Sequence, residues 1–82
     1  MQVLYFAWLR ERVGAASEEI DPGGAATARD LVDQLSARDP RYAAAFADMA
    51  AIRVAVDQEM CGLDTPISGA REIAFFPPVT GG

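Results

Sequence analysis

The chain has 82 residues, a net charge of −5 and an apolar fraction of 51%. This length allows one small domain with an efficient core, and the apolar fraction excludes a disordered chain. The excess of acidic residues argues against nucleic acid or an anionic membrane as the main partner, and favours a protein partner with a basic rim.

Residue types that commonly carry catalysis are missing. There is no histidine, Cys61 is the only cysteine, and all seven basic side chains are arginines. An internal disulfide, a His/Cys metal site and histidine acid–base catalysis are therefore excluded. We expect the chain to have no catalytic machinery of its own and no bound cofactor, and to act as a substrate or carrier. The favoured role of Cys61 is core packing, and a persulfide relay is the alternative.

The first residues predict a strand and do not resemble an export signal. Residues 2–8 are aliphatic and aromatic, residues 9–13 predict a short helix or turn that Gly14 stops, and residues 17–21 predict a second strand. The apolar start is too short to span a bilayer and follows no basic stretch, so we expect a cytoplasmic protein.

Helical spacing dominates the middle of the chain. Thr27 can cap a helix in which Asp30 follows three residues later, and Pro40 ends this helix by about Arg38. A second, alanine-rich helical stretch is predicted at residues 41–48. The apolar positions of the two helices are Ala28, Leu31, Val32, Leu35, Tyr42 and Phe46.

Strands return in the last third. Residues 52–57 alternate in polarity, Gln58 and Glu59 are predicted to form a turn, residues 60–61 a short return strand and residues 72–76 the last strand. The order predicts an α+β domain with two layers, a mixed sheet with one main helix packed on one face. The β-grasp architecture fits this order, as do other small α+β folds.

Strand parity predicts which side chains face away from the helix. If Val3, Tyr5 and Ala7 face the helix, the intervening residues and Trp8 face outward. An apolar outer face with a charged rim is typical of a partner surface. The alternative is that residues 39–51 cover it. The expected outer face contains Leu4, Phe6, Ala55, Ala74 and Phe76, with Met60 as a further candidate, inside a rim of Arg10, Arg53 and Glu72.

The C-terminus has its own composition. We divide the chain into a domain of residues 1–76 and an extended tail of residues 77–82, Pro-Pro-Val-Thr-Gly-Gly. The prolines favour a stiff arm that spans up to about 20 Å, and the two glycines can enter a narrow channel. An ionised terminal carboxylate is a poor electrophile, so it must first be activated, and we expect an acyl-adenylate. A frayed end without a role is the alternative.

Both ends of the chain resemble one family. Residues 3–11, Val-Leu-Tyr-Phe-Ala-Trp-Leu-Arg-Glu, and the closing Phe-Phe-Pro-Pro-Val-Thr-Gly-Gly are similar to the small, ubiquitin-like sulfur-carrier subunits of molybdopterin synthase. The chain departs from that pattern at Asp57, where asparagine is usual, and at Ala70-Arg71, where an acidic pair is common.

The resemblance implies a β-grasp fold and a sulfur carrier in molybdenum cofactor biosynthesis. An adenylating enzyme related to ubiquitin activators would use ATP on Gly82, and a desulfurase- or rhodanese-type donor would convert Gly82 to a thiocarboxylate. The tail, Pro77, Pro78, Val79, Thr80 and Gly81, would enter the large subunit of molybdopterin synthase, where Gly82 delivers sulfur to a pterin precursor. Two carriers would flank a dimer of large subunits in a heterotetramer. The residues that match the family's interface are Phe6, Arg10, Met60 and Phe76.

Two other functions fit the same residues. One is a ubiquitin-like sulfur carrier or protein modifier for another pathway, such as tRNA thiolation or thiamine synthesis, with the same tail and a different outer face. The other is an interaction module that binds through the sheet and does not need Gly82.

Overall fold

A mixed five-stranded sheet forms one layer of the protein, in a computed structural model that describes residues 1–78. Its order is β2-β1-β5-β3-β4, with β1 and β5 parallel at the centre and the other neighbours antiparallel. This order confirms the α+β prediction and is that of the β-grasp architecture. The strands are β1 (Gln2–Tyr5), β2 (Ser17–Glu19), β3 (Arg53–Val56), β4 (Glu59–Cys61) and β5 (Glu72–Phe76).

Three α-helices and a 3₁₀ turn form the second layer. They are α1 (Trp8–Val13), α2 (Ala28–Arg38), α3 (Pro40–Ala45) and the 3₁₀ turn at Met49–Ala51. Helix α2 begins with the predicted cap, because Thr27 Oγ1 accepts from Asp30 N at 3.2 Å. The Asp30 carboxylate also accepts from Thr27 N at 3.2 Å, which completes a capping box. Among the described residues, no helix is long and apolar enough to cross a membrane.

The core lies between the two layers, as helical spacing predicts. All six predicted apolar positions of the helices are buried. The ring of Phe46, which follows α3, packs edge-on against Phe75 of β5 with centroids 5.0 Å apart. Residues 39–51 therefore belong to the helical side, and the alternative that they cover the outer face of the sheet is wrong.

A carboxylate from β2 binds two buried tyrosines. Tyr5 Oη donates to Glu18 Oε2 at 3.0 Å, and Tyr42 Oη donates to the same oxygen at 2.7 Å. Burial, and then the hydrogen bond to Glu18, raises the pKa of Tyr5 above its usual range, and the pKa of Tyr42 is raised for the same reasons. The tyrosines ionise more readily in the unfolded chain. Their contribution to stability is therefore complete below about pH 10 and is lost as the pH rises further.

Replacing Glu18 with alanine is expected to lower the free energy of unfolding by about 3 kcal/mol, because two buried hydroxyls lose a charged acceptor. Urea unfolding at neutral pH measures the loss. The matched control is the neighbouring Glu19→Ala, which removes only a surface ion pair to the Met1 ammonium and should cost no more than about 1 kcal/mol. Equal losses in the two variants would contradict this role for Glu18.

The predicted end of the first strand is wrong. Strand β1 ends at Tyr5, because the chain turns there: Leu9 N donates to Phe6 O at 3.2 Å, and Ala7 has a φ of 55°. Ala7 is exposed rather than turned toward the helices, and Trp8 begins α1 and packs half-buried against the core rather than outward. Alternation cannot be extended past Phe6, since the extended backbone on which it depends has ended.

The predicted turn between β3 and β4 is shifted by one residue. The loop is Asp57-Gln58, with φ values of 49° and 71°, and Glu59 already belongs to β4. A two-residue hairpin of type I′ requires positive φ at both central positions, and aspartate tolerates this conformation better than most residues. The observed β2 and α3 also end earlier than predicted, at Glu19 and Ala45.

Candidate functional site

An apolar groove crosses the outer face of the sheet, the face away from the helices. Its floor is formed by Ala74 of β5 and Ala55 of β3, which lie directly opposite each other and are 7% and 9% exposed. Because these side chains are small and their neighbours are large, the surface between them is concave. The other lining residues are Leu4, Phe6, Phe76 and Pro77, with Gln58 and Glu72 at the polar end.

Strand register explains how the groove forms. Leu4 pairs with Ala74, Ala74 with Ala55, and Ala55 with Met60, so the four residues form one row across four strands. Directly paired residues share a face of the sheet, which places the row outward. The outer face predicted from parity is thus confirmed for β1, β3 and β5, and Met60, 71% exposed, extends it onto β4.

The four predicted interface residues do not all occupy the groove. Phe6, which is 48% exposed, and Phe76 form its walls. Met60 lies at the end of the row that passes through the floor. Arg10 is exposed on α1 and is not among the residues that line the groove.

The tail begins at the groove. Pro77 and Pro78 follow β5 without strand pairing, both are half-buried, and Pro77 lines the groove. The sequence predicted Pro77 only as part of the arm, although its position directly after the outward-facing Phe76 indicated a place beside the outer face. The remaining predicted tail residues, Val79, Thr80, Gly81 and Gly82, lie outside the described residues.

Asp57 fixes the polar end of the groove. Its Oδ1 accepts from the backbone N–H of Arg71 at 2.9 Å and of Glu72 at 3.0 Å, which joins the β3–β4 hairpin to the start of β5. This task needs only an acceptor oxygen and tolerance of positive φ. Aspartate supplies both, and so does the asparagine that the resemblance leads one to expect.

Within residues 1–78, no group of histidine, cysteine, aspartate and glutamate side chains could hold a metal ion. Cys61 is half-buried and packs against the core, and its Sγ contacts the Val54 carbonyl oxygen at 3.9 Å. This placement agrees with the packing role. The described residues do offer a binding surface, the apolar groove on the outer face of the sheet.

These features together define a ubiquitin-like protein of the β-grasp fold. The central strand pair is parallel, the helices lie on one face of the sheet, and the tail begins at an apolar groove on the other face. The ThiS family model matches residues 3–82, and the chain belongs to the ThiS family.

Several characterised relatives match this chain over its whole length. The molybdopterin synthase sulfur carrier subunits of Escherichia coli K12 and Haemophilus influenzae are 38% and 34% identical to it, and each alignment covers 100% of this chain and 99% of the relative. The crystal structure of SAMP1 from Haloferax volcanii superposes with a TM-score of 0.74 at 30% identity, covering 100% of this chain and 98% of SAMP1.

Proposed function

We propose that this protein is a sulfur carrier in molybdenum cofactor biosynthesis and acts as the small subunit of molybdopterin synthase. The observation that carries the proposal is the continuity of groove and tail: the groove ends at Pro77, and the Gly81-Gly82 end follows five residues later. A single partner protein can therefore bind to the groove and accept the tail. The full-length similarity to sulfur carrier subunits supports this assignment.

The chemistry takes place on Gly82. In an adenylating enzyme related to ubiquitin activators, a Gly82 carboxylate oxygen attacks the α-phosphate of ATP, and pyrophosphate leaves. The terminal sulfur of a persulfide on a desulfurase- or rhodanese-type donor then attacks the carbonyl carbon, and AMP leaves. A thiol of the donor cleaves the S–S bond of the resulting acyl disulfide and is itself oxidised to a disulfide, so that a thiocarboxylate remains. The thiocarboxylate sulfur is the nucleophile that attacks a pterin precursor in the active site of the large subunit. The carrier supplies binding and reach, and its partners supply the catalytic groups.

The assembly and compartment follow from the same proposal. The outer face binds the large subunit, and two carriers flank a dimer of large subunits. A narrow channel in the large subunit accepts Val79, Thr80 and Gly81, which places Gly82 next to the precursor. We place the reaction in the cytoplasm, where thiols and thiocarboxylates remain reduced.

A role as a protein modifier is the second candidate. Its support is the structural similarity to SAMP1, described as small archaeal modifier protein 1 of Haloferax volcanii. In that case, the activated Gly82 would form amide bonds with lysines of other proteins, and pull-downs would yield many covalent conjugates. The sulfur-carrier proposal expects a non-covalent large subunit instead.

Co-expression with an adenylating enzyme and a sulfur donor is expected to replace one oxygen of the protein by sulfur. Intact-protein mass spectrometry detects the shift, and fragmentation should locate it at Gly82. The control is the same co-expression without the sulfur donor, which should leave the mass unchanged. Unmodified Gly82 in the complete system would rule out the carrier function.

A further inference from the structure

Arg53 lies at the tail end of the outer face. In the antiparallel pair of β3 and β5, it is directly opposite Phe76, so the two side chains share the outer face of the sheet. Phe76 is a wall of the groove, and Pro77 follows it. Arg53 is exposed. An exposed guanidinium therefore stands beside the point where the tail leaves the domain.

The guanidinium of Arg53 is held by backbone oxygens. Its Nη1 donates to Ala50 O and Ile52 O, each at 3.3 Å. Within residues 1–78, Arg53 forms no ion pair, whereas Arg29 pairs with Asp64 and Arg41 with Asp39, both at 3.2 Å. A guanidinium has five N–H donors, so most of them remain available to a partner.

At the far end of the groove, charges are largely satisfied within the chain. The Asp57 carboxylate accepts from two backbone N–H groups, and Glu19 pairs with the Met1 ammonium at 3.0 Å. Glu72 and Arg71 have opposite charges and line one cleft there. The outer face is thus positive beside the tail, although the whole chain has a net charge of −5.

We propose that the outer face fits a partner surface that is apolar at its centre and carries a carboxylate where the tail enters, and that Arg53 binds this carboxylate. The inference rests on the proposed function, with the large subunit of molybdopterin synthase as the partner. It replaces the expectation of a basic partner rim at this point of the interface. The electrostatic effect of net charge acts over long distances and is screened by salt. A contact at the rim depends instead on the local side chain.

The fit also has a geometric consequence. A planar guanidinium can donate two parallel hydrogen bonds to one carboxylate, which an ammonium cannot do. Arg53 would therefore fix the rotation of the carrier on its partner and aim the tail at its channel. In this role Arg53 is a positioning residue, since Gly82 alone meets the substrate.

Titration of the large subunit with wild type, Arg53→Gln and Arg53→Glu tests the inference at low and at physiological ionic strength. At low salt, we expect affinity to fall about threefold for Arg53→Gln and about tenfold for Arg53→Glu, and the salt dependence to weaken in both. The matched control is Arg38→Glu on α2, an exposed arginine of the helical layer, which should change affinity less than about twofold at physiological salt. Thermal melting checks that the variants fold.

The outcomes separate the two proposals. Equal affinities for wild type and Arg53→Glu would overturn the role of Arg53 and leave the carrier function intact. An equal loss in Arg38→Glu would trace the effect to net charge and would also overturn it. If the wild type does not bind the large subunit, both proposals fail. Partial rescue of Arg53→Glu by reversing one carboxylate on the partner, with no effect on Arg38→Glu, would identify the contact.

Discussion

Deletion of Gly82 is expected to abolish molybdoenzyme activity in cells that depend on this protein, and to leave the domain folded. The deletion moves the terminal carboxylate back by about 3.5 Å. Group transfer requires reacting atoms about 3 Å apart, and even a 1 Å displacement can lower a rate about 100-fold. Among residues 1–78, the buried core spans residues 3–75, so the melting temperature should not change.

Gly82→Ala is the matched control for this deletion, because it keeps the length of the tail and adds one methyl group. We expect this variant to bind the large subunit nearly as well as the wild type, because most of the contact is made by the groove. It should be charged with sulfur more slowly, since the added methyl group lies next to the carboxylate that the adenylating enzyme must activate. Molybdoenzyme activity in complemented cells and mass spectrometry of the purified chain measure the two effects. Full activity after deletion of Gly82 would contradict both carrier functions and favour the interaction module.

Phe6→Ala is expected to weaken binding to the large subunit about 30-fold, or about 2 kcal/mol, with little change in stability. Phe6 is 48% exposed in the free protein and forms a wall of the groove, so its ring is available to a partner. Truncation removes a large apolar contact next to the tail. Most of the loss should appear as faster dissociation, since apolar contacts form after the encounter.

Met60→Ala provides the comparison for Phe6→Ala. Met60 is more exposed, at 71%, but lies at the end of the row across the sheet rather than in the groove. Peripheral contacts contribute less than central ones, so we expect less than about a fivefold loss of affinity. Surface plasmon resonance with immobilised large subunit gives both rate constants. Wild-type affinity of Phe6→Ala would show that the groove is not the docking surface.

Local signals in the sequence predicted most of the elements because their causes act within a few residues. Thr27 caps helix α2 as predicted, and the helix ends at Arg38 before Pro40. Alternation in β3 and β5 identified the outward side chains Ala55, Ala74 and Phe76. Each of these predictions depends on the geometry of one element alone.

Long-range packing decided what covers the sheet and where the tail starts. The position of residues 39–51 depends on the contact between Phe46 and Phe75, which are 29 positions apart in the sequence. No periodicity within either segment indicates that contact. The groove that Pro77 lines also depends on long-range pairing, because Leu4 and Ala55 flank Ala74 of β5 from two distant strands.

Taken by itself, the sequence determined the α+β class and the apolar outer face, and its resemblance to sulfur carriers led to the prediction that Gly82 is the working residue. Only the tertiary structure decided that the outer face is an open groove, that Trp8 packs against the core and that Arg53 lies beside the start of the tail. Composition predicted a basic partner rim because it averages charge over the whole chain. Strand register brings one arginine next to Phe76, and the partner meets that local charge rather than the average.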